Sequence, residues 1–176
     1  MDDNTNHFRV RSASSAKDDS QFILAAWDST LPYLASIGAG EMWGDEPFSQ
    51  REGQQQEITD VIRESEEDDR NGSRRFLVAE IETEADVTVK TTQVGAAMIR
   101  DALPYYLIQR PELKSEIEKA HSFLFIEVLI SDHRPQQRYK GAGAALVEAI
   151  KRRALDAGKD AVYVDAWAGN GRKLNR

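Results

Sequence analysis

One stretch constrains this fold more than any other. FLFIEVLIS at 123–131 is an apolar run broken only by Glu127, and a polar loop, DHRPQQRYK, follows it at 132–140. Then comes GAGAALVEAIKRRALDAG, from Gly141 to Gly158. A nearly continuous apolar strand suits burial on both faces, so it belongs inside a sheet. The next segment places Leu146, Val147, Ile150 and Ala154 on one helical face, with Glu148, Lys151, Arg152 and Arg153 on the other. Gly158 is its natural stop. AVYVD at 161–165 reads as a further strand, parallel to the first through a right-handed crossover. The unit is of the α/β kind.

The chain before it supplies the rest of a mixed sheet. Phe8, Val10 and Ser12 alternate with arginines as a short strand. Asp18, Asp19 and Ser20 offer cap chemistry to a helix over 21–27, which Pro32 interrupts. A glycine-rich loop at 38–44 carries Met42 and Trp43, and Asp45-Glu46-Pro47 opens a helix with Ile58, Val61 and Ile62 on its apolar stripe. That helix ends in the acidic run 64–69, read as a solvated end, and Asn71-Gly72 marks a turn. Residues 75–81 and 93–100 form an antiparallel pair joined by a long threonine-rich connection at 82–92. Residues 102–121 form an irregular insertion ending in a helical piece, LKSEIEKA. The expected class is α/β with a mixed sheet, in one domain over 7–176 behind a disordered tail at 1–6.

Composition removes several kinds of chemistry. With 40% hydrophobic and 30% charged residues, the chain is globular rather than disordered. It has no cysteine, which excludes disulfides, thiolate zinc sites and cysteine nucleophiles. His7, His121 and His133 lack metal-ligand spacing, so no metal is expected, and His133 is expected at the surface. No apolar run approaches membrane-spanning length and the N-terminus shows no import signal, so the expected location is the cytoplasm.

Charge is unevenly placed. Residues 134–176 hold ten basic and four acidic side chains, a local charge of +6, whereas residues 1–133 carry −13. So small a basic block speaks against a nucleic-acid partner and fits a local site for a small polyanion. Gly141 to Ala145 open their helix with small residues only, leaving its first N–H groups accessible. Those unpaired donors and the helix dipole attract anions, and Arg138 and Lys140 add charge at the lip. The plainer reading is that the glycines only let helix and sheet pack closely. No phosphate loop of the G-x4-G-K-[ST] type occurs. A dinucleotide unit shares Gly141-x-Gly143 and an acid, Asp165, ending the next strand, but holds Leu146 at the third glycine position.

The stretch from Arg138 to Gly143, RYKGAG, resembles the R/Q-x-x-G-x-G/A signature of the GNAT superfamily of acetyl-CoA-dependent N-acetyltransferases. EVLI at 127–130 resembles the strand before that signature, and YVDAWAGN at 163–170 the strand and turn after it. The resemblance implies an acetyl-CoA site and no metal. Main-chain N–H groups of Arg138, Tyr139, Lys140, Gly141, Ala142, Gly143 and Ala144 would hold the pyrophosphate. Leu129 and Ile130 would bond the pantetheine arm, and Asn170 resembles the family asparagine near its thiol end. The first helices and the 38–44 loop would wall an acceptor pocket, with Trp27, Tyr33, Met42, Trp43 and Phe48 as candidate lining or ordinary core.

The implied reaction is direct attack of an amine on the thioester in a ternary complex. The Leu129 N–H is the candidate oxyanion donor, and Glu127 the candidate base, its basicity expected to rise through burial in an apolar strand. The resemblance also implies a further helix and two strands beyond Arg176, including the tyrosine that protonates the leaving thiolate. Without them the strand at 161–165 would offer an open edge for a second copy of the chain. The partners expected are acetyl-CoA and an amine, with a homodimer through that edge. Two classes stay open: an N-acetyltransferase, or a non-catalytic relative that binds acyl-CoA or serves a structural role.

Overall fold

In the computed structural model the described residues are 7–67, 74–85, 88–119, 121–134 and 139–172, with the side chains of 84, 85, 88, 89, 170 and 172 outside that description. Five strands lie side by side in chain order: β1 (Phe8–Ser12), β2 (Arg74–Ala85), β3 (Thr88–Arg100), β4 (Phe123–Ser131) and β5 (Ala161–Val164). The first four are antiparallel, and β5 runs parallel to β4. The long helices α1 (Asp19–Ser36) and α2 (Gln54–Glu67) precede β2. Two short ones, α3 (Tyr105–Ile108) and α4 (Lys114–Lys119), lie between β3 and β4. Helix α5 (Ala142–Asp156) connects β4 to β5, and α6 (Gly169–Arg172) follows.

Two apolar layers sandwich the sheet. On one face Ile23, Trp27 and Leu31 of α1 and Ile58, Val61 and Ile62 of α2 pack on Phe76, Val78, Met98, Val128 and Ile130. On the other, Ala142, Leu146, Ile150 and Ala154 of α5 cover Leu77, Ala97, Ile99, Leu124 and Ile126. Leu146 and Ile150 are fully buried, worth about 1.5–3 kcal/mol each. That burial aims the start of α5 at the sheet. Gly158 follows α5 as expected, with the Lys159 N–H bonded to Ala154 O at 2.8 Å. Among the described residues no helix is long and apolar enough to cross a membrane.

Three expectations need correction. Pro32 does not break the first helix, because α1 continues to Ser36 with Leu31 and Leu34 buried on either side of it. The Ser29 and Thr30 hydroxyls bond the Ala26 and Trp27 carbonyls, each at 2.6 Å, in the turn before the proline. The second helix starts at Gln54 rather than Asp45. Phe48 stacks on Trp27 at 4.3 Å, and Arg51 lies 3.8 Å above the Phe48 ring while donating to the Trp43 and Glu46 carbonyls, so 43–51 is held as a turn. The threonine-rich stretch extends both strands, with Glu82 paired to Thr91 and Ala85 to Thr88. Its β-branched residues suit a pleated ribbon better than a loop. The Asn71-Gly72 turn lies outside the described residues.

A buried ionic knot ties β1 to the rest. The Arg11 guanidinium sits between Asp19 and Glu80, at 2.5 and 2.6 Å, and the Ser14 N–H and Gln93 amide also donate to Asp19.

Candidate functional site

The site grows from the places where regular pairing fails. Ile99 opposes Ile126 but Met98 opposes Val128, so Glu127 is one residue too many, a β-bulge in β4. The extra residue switches the faces of the strand: Leu124 and Ile126 belong to the α5 layer, Val128 and Ile130 to the α1–α2 layer. Strand β5 pairs with β4 only from Phe123 to Ile126, against Ala161 to Val164. Strand β5 itself ends at Val164, which is 61% exposed, and the pairing ends with it. Beyond Ile126 the β5 side of β4 has no strand neighbour among the described residues, and alternate residues turn their N–H and C=O groups to that unpaired edge. Leu129 is 37% exposed there, while Ile130 is buried.

The start of α5 is bare. Its N-cap is Gly141 at φ 104°, a conformation side chains rarely adopt, and no side chain caps the first turn. The Ala145 N–H bonds Gly141 O at 2.9 Å, which leaves Ala142, Gly143 and Ala144 without a hydrogen-bond partner from within the helix. The three small residues do different work. A Cβ on Gly141 would stand 3.1 Å from the Phe8 ring, Ala142 is buried against the sheet, and a Cβ on Gly143 would meet nothing within 4 Å. Close packing thus explains Gly141 and Ala142 but not Gly143, which faces open space. Tyr139 packs against the α5 layer and Lys140 is exposed. Arg138 and the Asn170 side chain lie outside the described residues.

Glu127 is not buried as expected. Its side chain is 25% exposed, and Arg100 at the end of β3 donates to it at 3.2 Å. Glu127 borders a pocket of about 240 Å³ with Trp27, Phe48, Glu57, Arg74 and Met98. Of the five candidate lining residues, Trp27 and Phe48 are in it, and Trp43 stands edge-on to both rings. Tyr33 instead stacks on His133 at 4.3 Å, so His133 is half-buried rather than a surface residue. The 38–44 loop walls a different cavity, about 510 Å³ between it and α1, lined by Asp28, Leu31, Glu41 and Asp45 among others and not by Glu127.

Four residues of the region escaped sequence reasoning. Gly95 leaves room for the β4 backbone, since a Cβ there would lie 2.8 Å from Ile130 O, while the Ala142 methyl of α5 at 3.6 Å would be in ordinary contact. A glycine inside an apolar strand was the available signal. Arg100 and Glu57 carried none. Tyr106, in the insertion, bonds Asp165 at the end of β5. Among the described residues no group of three or more histidines or carboxylates is placed to hold a metal ion.

No protein-family model matches this chain, and no curated protein matches it. Solved structures do. A tetramutant of the BH1408 protein of Bacillus halodurans is similar over 95% of this chain and 88% of its own, at 15% identity and TM-score 0.56. Aminoglycoside N-acetyltransferase AAC(6')-Iy, solved in complex with CoA, is similar over 99% of this chain and 87% of its own, at 12% identity and TM-score 0.52. The aminoglycoside acetyltransferase HMB0005, from an uncultured soil metagenomic sample, is similar over 96% and 86%, at 12% identity and TM-score 0.51. With a five-stranded mixed sheet and helices on both faces, this chain has the GNAT-type acetyltransferase fold.

Proposed function

We propose that the chain transfers an acetyl group from acetyl-CoA to a primary amine of a small molecule or peptide, by direct attack in a ternary complex. The observation that carries this reading is the uncapped start of α5, open at Gly143, together with the β4 edge that has no strand partner beyond Ile126. A diphosphate suits those N–H groups and the helix dipole, with Lys140 beside them. An extended amide-containing arm suits the main-chain groups of Leu129, which it would meet as an added strand does, whereas those of Ile130 face β3. The arm's reacting end then comes to the bulge at Glu127. A complex of AAC(6')-Iy with CoA fits the same reading.

In this reading the protein positions two substrates and manages charge. The amine enters from the pocket of Trp27 and Phe48, where Glu127 attracts its ammonium and takes the first proton. Arg100 holds that carboxylate in place by donating to it from the end of β3. A β4 amide, that of Leu129, donates to the thioester oxygen as negative charge develops on it. The acidic balance of residues 1–133 favours cationic acceptors through long-range attraction.

Titration calorimetry with acetyl-CoA, paired with a free-thiol assay over a panel of amines, tests the proposal. Saturable binding and amine-dependent thiol release are expected. Binding without thiol release would leave only an acyl-CoA-binding protein, and no binding would overturn the reading.

A further inference from the structure

Ile126 and Val164 are the last paired residues of β4 and β5, so Glu127 and Asp165 are the first residues past the pairing. They start from facing positions on strands about 4.8 Å apart. Their surroundings differ. Glu127 is matched by Arg100. Asp165 is exposed and meets no cation among the described residues, but it accepts a hydrogen bond of 2.6 Å from the Tyr106 hydroxyl. Tyr106 lies on α3, six residues past Arg100, and is 52% exposed. Burial of its hydroxyl, then the bond to Asp165, then the negative charges of Asp165 and Glu127 push the phenol above its ordinary range, while Arg100 opposes them. A hydroxyl, two carboxylates and a guanidinium therefore lie together where the pairing of β4 and β5 ends.

The chemistry calls for more than one proton acceptor. An ammonium must lose one proton before its nitrogen can attack, and a second once the N–C bond has formed. A carboxylate that has taken the first cannot take the other until it is emptied. We propose that Tyr106 and Asp165 carry the second proton out of the site. This inference rests on the acetyl-transfer reading above. As the C–S bond breaks, its electron pair leaves with sulfur. The surplus proton on nitrogen passes to the Tyr106 oxygen as the Tyr106 proton passes to Asp165 Oδ2, and the N–H electron pair stays on nitrogen. Tyr106 ends neutral. Asp165 ends as a neutral acid and releases its proton to the solvent around it, and the thiolate takes up a proton from solvent after departure.

Tyr106→Phe removes the bridging hydroxyl, and Asp165→Asn keeps the shape but not the base. Both are expected to lower kcat about 100-fold, the ordinary size of such proton transfers, with KM for acetyl-CoA unchanged. The double variant should be no slower than either single one, because the two groups act as a unit. The deficit should narrow as pH rises and hydroxide replaces the lost acceptor, a response that a merely structural role would not give. Ultraviolet titration offers a second readout, independent of turnover. One tyrosine should titrate above the rest in the wild type, be missing in Tyr106→Phe, and move down in Asp165→Asn. Variants with wild-type kcat and pH profile would overturn the relay and leave acetyl transfer standing. A wild-type chain releasing no thiol with any amine would overturn both, and a phenol unmoved in Asp165→Asn would overturn the pair.

Discussion

Gly143→Asp separates what α5 needs as a helix from what an anion needs of it. Gly143 is the second residue of the helix, and a side chain there enters open space. Folding should benefit. Removing a glycine from a helix is worth about 0.5–1 kcal/mol, and a carboxylate in the first turn adds about 0.3–1 kcal/mol through the dipole. The sum is about 1 kcal/mol, or a rise in Tm of about 2–4 °C for a chain of this size. Binding should suffer, because the same carboxylate would stand beside the diphosphate. Two unit charges 4 Å apart repel by about 1 kcal/mol in bulk water and about 4 kcal/mol near a protein surface. Physiological salt trims this, leaving about 2 kcal/mol, or roughly a thirty-fold rise in Kd. Thermal unfolding followed by circular dichroism, and calorimetry with CoA, give the two numbers. A variant that is more stable and binds CoA as tightly as the wild type would show that no diphosphate lies at this helix start.

Two further outcomes concern stability. Arg11→Met leaves Asp19 and Glu80, both almost wholly buried, without their shared cation, and should cost about 3–5 kcal/mol in urea unfolding. A loss below about 1 kcal/mol would mean that the knot is better hydrated than its burial implies. Glu66 accepts from the Ser15 N–H at 2.9 Å and from the Ser15 hydroxyl, which hold its carboxyl below the usual range. A group lowered in the folded state stabilises above its unfolded value, about 4.3 for glutamate, and that contribution is lost as pH falls through the folded value. Glu66→Gln should therefore be less stable than wild type at pH 7, by under about 1 kcal/mol for so exposed a pair. The two unfolding curves should converge in acid, and a gap that widened instead would contradict the assignment.

The parts legible beforehand are those written in local patterns. The nine residues of β4 and the whole of α5 came from apolar spacing and a glycine at each end, because burial on one helical face leaves a period in the chain. The glycine-rich start of α5 was legible for the same reason. Ile58, Val61 and Ile62 were recognisable as a core stripe even though their helix starts nine residues later than its apparent cap. Elsewhere local signals misled. Pro32 is a helix breaker by propensity, yet buried neighbours keep α1 intact through it.

What the chain determined by itself is thus the order of its elements, the absence of cysteine chemistry, and a helix start built of small residues. Tertiary structure decided the rest. The bulge at Glu127 leaves no trace in sequence, since an extra residue is extra only relative to the register of β3. The same holds for Arg100 matching Glu127, Gly95 yielding space to the Ile130 carbonyl, and Tyr106 reaching Asp165 across 59 positions. Periodicity records which way a side chain points from its own backbone. Which distant group it meets depends on where the sheet brings the other strand, and that is settled only when both layers are packed.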